Sequence, residues 1–461
     1  MKKSINLPHI HTITHETRLH VNDLDFQSLL MHYHHKDSFS CLLSGGTSDC
    51  ASNACMGFDP FLKLFCKQGI ITLSTSTEKQ TIHHDIWDVL KIVFSHYSHL
   101  HTSFPGAIGF FSYECGHYIE QLPYIEDIEN IDDIAIFFFS QFYHLNRLTH
   151  RLTHYRIETN VPPFETTHEQ MRNSQFSVES IHVQTSFDSY VQQLKQVIHY
   201  IREGDIYQAN ISQKFTVMGT FSGFDLFLRL FRLNPAPFFA YIHTGDYEII
   251  CTSPERFIRC IDNHVETRPI KGTIERGNTD IEDKQNQTIL LNSEKDQAEL
   301  SMIIDLLRND IGKCATPGSV RVTHFKKIEQ YQNVYHLIGI VESELSPPYD
   351  VIDLMKACFP GGSITGCPKI RSMEIISEIE KETRGIYTGS IFYHGYGPYF
   401  DSNIAIRTLL IKNNRLTFRV GGGIVYDSIP EKEYQETIHK GRSILQALGF
   451  NYNHYLQNSK K

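Results

Sequence analysis

The chain has 461 residues, with 43 basic against 52 acidic side chains, a formal net charge of −9, 41% hydrophobic and 21% charged residues. That balance excludes an extended disordered chain and leaves material for about three ordinary domains, or fewer large ones. It also argues against nucleic-acid binding, which needs clustered Lys and Arg.

Met1 to His20 lacks an apolar segment of signal-peptide length, and no stretch of about 18 apolar residues follows, so a cytoplasmic protein without membrane association is expected. From Asp23 to Arg156, short apolar runs such as Ser38–Leu43, Ile108–Ser112 and Ile134–Phe139 read as strands. Ile157 to Ser186, with Pro162, Pro163, Thr166 and Thr167, reads as a linker. The organisation expected is therefore an N-terminal region over 1–156, a linker over 157–185 and a catalytic domain over 186–450. Helical spacing recurs in Tyr190–Glu203, Glu294–Leu307, Val351–Cys358, Lys369–Ile379 and Glu431–Leu448. Strands are predicted at Tyr241–Cys251, Phe257–Ile261, Gly389–Tyr393, Asn403–Ile411 and Leu416–Val420.

The 26 histidines and ten cysteines invite a metal-protein reading. The cysteines form no CxxC pair, and His11/His15 and His150/His154, although four apart, fall in threonine-bearing segments that read as extended. Carboxylates are the better candidates. On a helical wheel Asp296 and Glu299 share the arc of Met302, Ile303, Leu306 and Leu307, and a buried carboxylate needs a partner cation or a proton. Glu433 and Glu436 form a second pair three apart, but the stripe of Tyr434, Ile438 and Leu445 puts them on the solvated side. Two such pairs suit a hard cation such as Mg²⁺.

Three further patterns could carry chemistry. Arg268-Pro269-Ile270-Lys271-Gly272-Thr273 sets a lysine at the end of an extended segment, where desolvation can favour a nucleophilic amine, although the bare pattern is weak and a surface lysine in a turn is the better reading of it. Gly361-Gly362-Ser363-Ile364-Thr365-Gly366 opens onto a helix N-terminus, a setting for an anion, without the GK[ST] of a nucleotide-phosphate loop. Gly421-Gly422-Gly423 reads as a turn that lets the backbone approach a ligand closely.

Taken together with Ser253-Pro254-Glu255-Arg256-Phe257, Asp305-Leu306-Leu307-Arg308-Asn309-Asp310, Gly366-Cys367-Pro368-Lys369 and Glu433-Tyr434-Gln435-Glu436-Thr437, these motifs follow one another as in the chorismate-utilising enzymes. The chain resembles that family strongly from Ser186 to Leu448, and more weakly over Asp23 to Arg156, through Phe104-Pro105-Gly106-Ala107-Ile108-Gly109 and Ser112-Tyr113. Within the family, Lys271 is similar to the aminodeoxychorismate synthase component I branch, where anthranilate synthase large subunits carry alanine. Gln208 stands where isochorismate and salicylate synthases carry a water-activating lysine.

The resemblance implies an α+β fold of two packed antiparallel β-sheets with helices outside and the active site in the cleft between the halves. It implies a transferase of the transaminase class that aminates chorismate at C4 to 4-amino-4-deoxychorismate, for para-aminobenzoate and folate synthesis. Catalytic roles fall to Lys271 as nucleophile, Glu255 as general acid and base, and His336 beside the leaving hydroxyl. Thr273, Ser363, Tyr387, Arg407, Gly421, Gly422 and Gly423 are implied substrate contacts, with Arg407 the fork for the enolpyruvyl carboxylate. Mg²⁺ is implied on Glu299 and Glu436, supported by Asp296 and Glu433. Asp296 departs from the glutamate of some relatives, and Leu42-Leu43-Ser44-Gly45 lacks the Leu-Glu-Ser that helps form a tryptophan pocket in many others.

No glutaminase is readable, because Cys115-Gly116-His117 lacks the Gly-x-Cys-x-Gly setting of such a nucleophile. Ammonia is expected from a separate glutamine amidotransferase subunit, and a third protein is expected to act as the lyase. The alternatives are an anthranilate synthase large subunit and a non-catalytic chorismate-binding subunit.

Overall fold

A computed structural model describes residues 5–36, 38–45, 49–164 and 176–450. Its 22 strands form one hydrogen-bonded network, and the ladders followed here are antiparallel. The Ser177–Val183 strand lies beside Gln208–Thr220, followed by Arg415–Ile424, Thr408–Lys412, Glu248–Ser253 and Phe238–His243. The network then passes into the first third of the chain, through Ser40–Leu43, Asn53–Lys67, Ile134–Asn146 and Gly106–Phe111. It returns through Ser390–Gly395, Tyr399–Asn403, Arg256–Ile261, His264–Arg268 and Val334–Glu344. The last of these also carries Ile270–Glu275 and Arg321–Gln330. The fold is α+β as expected, with the refinement that the two sheets are continuous and the N-terminal strands join them.

Two apolar cores sit against this network. One gathers Trp87, Phe94, Phe111, Phe137, Phe138 and Leu337, and the other Phe26, Leu194, Phe227, Phe239, Phe418 and Ile438. The Ile134–Asn146 strand, IAIFFFSQFYHLN, is buried along almost its whole length. A strand covered on both faces loses the alternation of a half-exposed one and reads as a continuous apolar run.

Several expectations are corrected. The N-terminal region is not all strand: Asp23–Tyr33 and Ile86–Ser98 are helices, begun by Asn22 and Asp85 side chains that accept hydrogen bonds from first-turn N–H groups. Tyr241–Cys251 is a hairpin of two strands. Asn403–Ile411 is interrupted before Thr408, where Arg407 takes φ 51°. The last predicted helix breaks at Gly441 into Pro430–Lys440 and Arg442–Ala447. The stretch read as linker holds the end of the Arg151–Thr159 strand and all of Ser177–Val183; residues 165–175, with Thr166 and Thr167, lie outside the described residues. His11, His15 and His154 lie on strands, so their spacing does not bring imidazoles together on a helix face. Among the described residues no helix is long and apolar enough to cross a membrane.

Candidate active site

Lys271 lies within the Ile270–Glu275 strand, not at the end of an extended segment. The ladder to Val334–Glu344 slips between Lys271 and Thr273. Gly272 at the slip has φ +70°, and a Cβ there would stand 2.8 Å from Leu290 Cδ1 and 2.9 Å from Asp296 Cγ, so only glycine fits. The bulge sends the lysine inward, with its side chain 11% exposed and its Nζ 3.4 Å from Glu299 Oε2.

Glu255 follows the Glu248–Ser253 strand, and its Oε1 accepts from Ser363 Oγ at 2.7 Å. Burial pushes its carboxyl up to about 7, against the opposing pull of the Ser363 hydrogen bond and the charges of Lys271 and Arg407. His336 is 1% exposed on the Val334–Glu344 strand, its Nδ1 2.8 Å from Thr273 Oγ1. Burial, with the Arg407 charge, lowers it to about 3, so the ring is neutral at pH 7, and Nε2 has no hydrogen-bond partner. Arg407 makes no ion pair among the described residues and faces Glu255 and Tyr331. A half-buried guanidinium so placed is a ready partner for an anionic ligand.

Gly421, Gly422 and Gly423 are not a turn. They belong to the Arg415–Ile424 strand and pair with Ser212, Ile211 and Asn210. Alternation of faces gives the three bare Cα atoms separate neighbours. A Cβ on Gly421 would lie 2.7 Å from the Tyr387 hydroxyl, and one on Gly423 would lie 2.7 Å from Gln208 Nε2 and 3.3 Å from Lys271 Nζ. Gly422 looks the other way, toward Glu433 Oε2 at 3.5 Å and Lys440 Nζ at 3.6 Å. Gln208 is fully buried and neither its Oε1 nor its Nε2 has a partner, a costly arrangement unless a ligand supplies one. Ser363 sits in a single 3₁₀ turn, Gly362–Ile364, and a two-residue strand intervenes before the Lys369–Glu380 helix. The buried Arg384 donates to the carbonyls of Ile364 and Asn210, tying that turn to the Gln208–Thr220 strand.

The carboxylates come from two helices, Glu294–Gly312 and Pro430–Lys440. The buried stripe of the first is Leu300, Ile303, Ile304, Leu307 and Ile311, while Met302 and Leu306 are only half buried. Asp296 and Glu299 flank that stripe. Glu433, expected on the solvated side, is 5% exposed, because its helix turns this residue toward Gly422 of the strand and the Ser428 hydroxyl. Burial and the neighbouring Glu436 raise its carboxyl, and the Ser428 hydroxyl donates to it at 2.8 Å. Glu436 is lowered, first by Lys440, whose Nζ is 2.9 Å away and also donates to the Gly421 carbonyl at 3.1 Å.

Sequence reasoning missed Lys295 and Lys440, although each stands four residues from an acid, the spacing of a helical ion pair. Lys295 Nζ lies 3.9 Å from Glu299 and 3.8 Å from Glu433. Among the described residues, Asp49, Cys50 and Glu329 are the one trio of potential metal ligands within 4.8 Å of one another. Arg268 already bridges Asp49 and Glu329 at 2.6 and 3.1 Å, so that trio is a salt-bridged corner. Cys115 is buried, and its thiol is raised well above its ordinary value by burial.

The chain is similar to known proteins. The pattern of the chorismate binding enzyme family fits residues 58–446. Aminodeoxychorismate synthase component 1 of Bacillus subtilis is 35% identical over 421 residues, 85% of this chain and 88% of that protein. The Escherichia coli protein of the same name is 38% identical over 356 residues, 74% and 77% of the two chains. Anthranilate synthase component 1 of Aquifex aeolicus is 42% identical over 255 residues, 55% and 52% of the two. Among solved structures, anthranilate synthase component I from Streptococcus pneumoniae superposes with a TM-score of 0.74 at 30% identity, covering 86% of this chain and 93% of that one.

Proposed function

The chain belongs to the chorismate binding enzyme family, and from that membership we propose that it aminates chorismate at C4 with ammonia, giving 4-amino-4-deoxychorismate. The observation that carries this reading is Lys271, an inward-pointing amine beside the bare Gly423 and within the field of Glu255. Two relatives named aminodeoxychorismate synthase component 1 align over most of their lengths, and an anthranilate synthase component I is matched over 93% of its own chain, so the preference for this product rests on Lys271.

In the proposed reaction the Lys271 amine attacks C2, the ring double bonds shift, and the C4–O bond breaks. The proton lost by the amine passes to Glu255, whose carboxyl near 7 suits both accepting and returning it. Glu255 returns that proton to the departing hydroxyl, which leaves as water, with the neutral His336 ring and its unpartnered Nε2 as the adjacent polar group. Ammonia then attacks C4 and loses a proton to Glu255, the double bonds shift back, C2–N cleaves, and Glu255 returns the proton to the departing Lys271 amine. The covalent step divides one difficult substitution into two. Arg407 would hold the enolpyruvyl carboxylate, and the retained ether never reacts.

Among the described residues, no three of the four carboxylates lie within 4.8 Å of one another; what supports a hard divalent cation is their all-oxygen chemistry and the Lys295 ammonium, which lies between two of them as a stand-in positive charge. Mg²⁺ would be held by Glu299 and Glu436 with Asp296 and Glu433 as supports, and would supply positive charge for the ring carboxylate. Ammonia would come from a separate glutamine amidotransferase subunit, and a lyase would release para-aminobenzoate.

The test incubates purified protein with chorismate, Mg²⁺ and ammonium salt, then adds an aminodeoxychorismate lyase. Para-aminobenzoate that appears only with lyase is the expected result. Anthranilate formed without lyase would establish the anthranilate synthase reading instead, and unconsumed chorismate would point to a non-catalytic subunit. Without ammonia, the Lys271 peptide should carry a chorismate-derived mass adduct. An unmodified peptide in protein that turns over with ammonia would remove the covalent step.

A further inference from the structure

Lys295 occupies a position that its sequence neighbours do not explain. Its ammonium spans from its own helix, Glu294–Gly312, to the Pro430–Lys440 helix, reaching Glu299 Oε1 at 3.9 Å and Glu433 Oε1 at 3.8 Å. Both separations exceed hydrogen-bond length, and its side chain is 57% exposed. Such a pair is electrostatic, loosely held and weak. The two other ammonium groups nearby are tighter. Lys440 sits 2.9 Å from Glu436 and is anchored to the Gly421 carbonyl, and Lys271 is 3.4 Å from Glu299 with only 11% of its side chain exposed. Of the three cations among these carboxylates, Lys295 is the one free to swing into water.

We propose that Lys295 is a tethered counter-ion which holds Glu299 and Glu433 together in the metal-free protein and competes with the divalent cation for them. The inference rests on the metal reading above and adds a role for a side chain that binds no metal itself. Without the ammonium, Glu433 would lose that cation and Glu299 would keep only Lys271, so the carboxylates of the two helices would repel more strongly. With it, the site is preassembled, and a cation entering it must break both contacts. Affinity for the free metal is therefore lower than the carboxylates alone would give, and metal binding releases the Lys295 amine into solvent.

Both consequences are measurable without turnover. Mn²⁺ binding is followed by electron paramagnetic resonance in wild type, Lys295→Gln, Glu436→Gln and Lys195→Gln, the last removing one exposed charge elsewhere on the surface. Lys295→Gln should bind Mn²⁺ about three- to ten-fold more tightly than Lys195→Gln, the range expected for removing two weak contacts. Glu436→Gln should lose that binding. In wild type, acetylation of Lys295 followed by peptide mass spectrometry should speed up when Mn²⁺ is added. Equal or weaker binding by Lys295→Gln, with binding still dependent on Glu436, would overturn the role of Lys295 while leaving the metal site intact. Absence of Glu436-dependent binding in every protein would overturn the metal reading and this inference with it.

Discussion

Ser363 Oγ donates to Glu255 Oε1 at 2.7 Å, joining the turn Gly362–Ile364 to the strand end that carries the proposed acid and base. The bond favours the ionised carboxylate, while burial opposes ionisation and leaves the group near 7. Ser363→Ala removes the bond and retains the burial. The basic form should then appear only at higher pH, moving the acid limb of the kcat/KM profile for ammonia upward from about 7. A limb that stays in place or moves down would show that Glu255 does not set it.

Two buried groups of the site impose opposite pH dependences on stability. His336 is lowered to about 3 from 6.5, so its contribution is complete above about pH 6.5 and is lost as pH falls toward 3. Glu255 is raised to about 7 from 4.5, so folding is least burdened by it below pH 4.5 and most burdened above 7. Glu255→Gln should therefore raise the unfolding free energy at pH 8 by an amount of order 3 kcal/mol, with no gain at pH 4.5. His336→Gln should flatten the fall in stability between pH 6.5 and 4. Denaturant titrations across that range measure both.

Adjacent glycines should respond differently to the same change. Gly423→Ala drives a methyl to 2.7 Å from Gln208 Nε2 and 3.3 Å from Lys271 Nζ, while Gly422→Ala meets nothing closer than 3.5 Å. The first should cut kcat/KM by about 10²-fold or more with little change in Tm, since the displaced groups belong to the site. The second should stay within a few-fold of wild type. Steady-state kinetics on both proteins decide the matter.

Arg407 lacks an ion-pair partner among the described residues, so its replacement leaves no stranded carboxylate. Arg407→Gln should fold normally and raise KM for chorismate by about 10- to 100-fold, the cost of one charge-assisted pair. Arg407→Lys should recover only part of this, because a point charge does not replace a planar fork.

How much of this was legible without coordinates differs residue by residue. The helices from Glu294 and Val351 and the strand ending at Ile261 follow from apolar spacing, because each buries one continuous face. The Asp23–Tyr33 helix escaped because only Phe26 and Leu30 of its eleven residues are buried, too few to write a period of 3.6. Glu433 was misread for the reverse reason. Its helix packs on both sides, and the second contact is with Gly422 of a strand and Ser428 of the preceding loop, which the helix's own spacing does not show. The isolation of Gln208 arises the same way, across the Asn210–Gly423 pair. Lys271, Glu255 and Ser363 were found through their order along the chain, whereas the bulge that turns Lys271 inward depends on its partner strand.

The route of the ladders sets when the protein becomes whole. Asn210 pairs with Gly423, about two hundred residues later, and Ser40–Leu43 pairs with Phe238–His243 at similar remove. During synthesis the early strands must therefore wait with open edges, and open edges are templates for pairing with other chains. Only when Arg415–Ile424 has emerged can its ladder to Gln208–Thr220 close, and the same strand brings Gly423 against Gln208 and Lys271. Protection from aggregation and competence for chemistry thus arrive in one event, and a nascent chain stalled before that strand would be both sticky and inert.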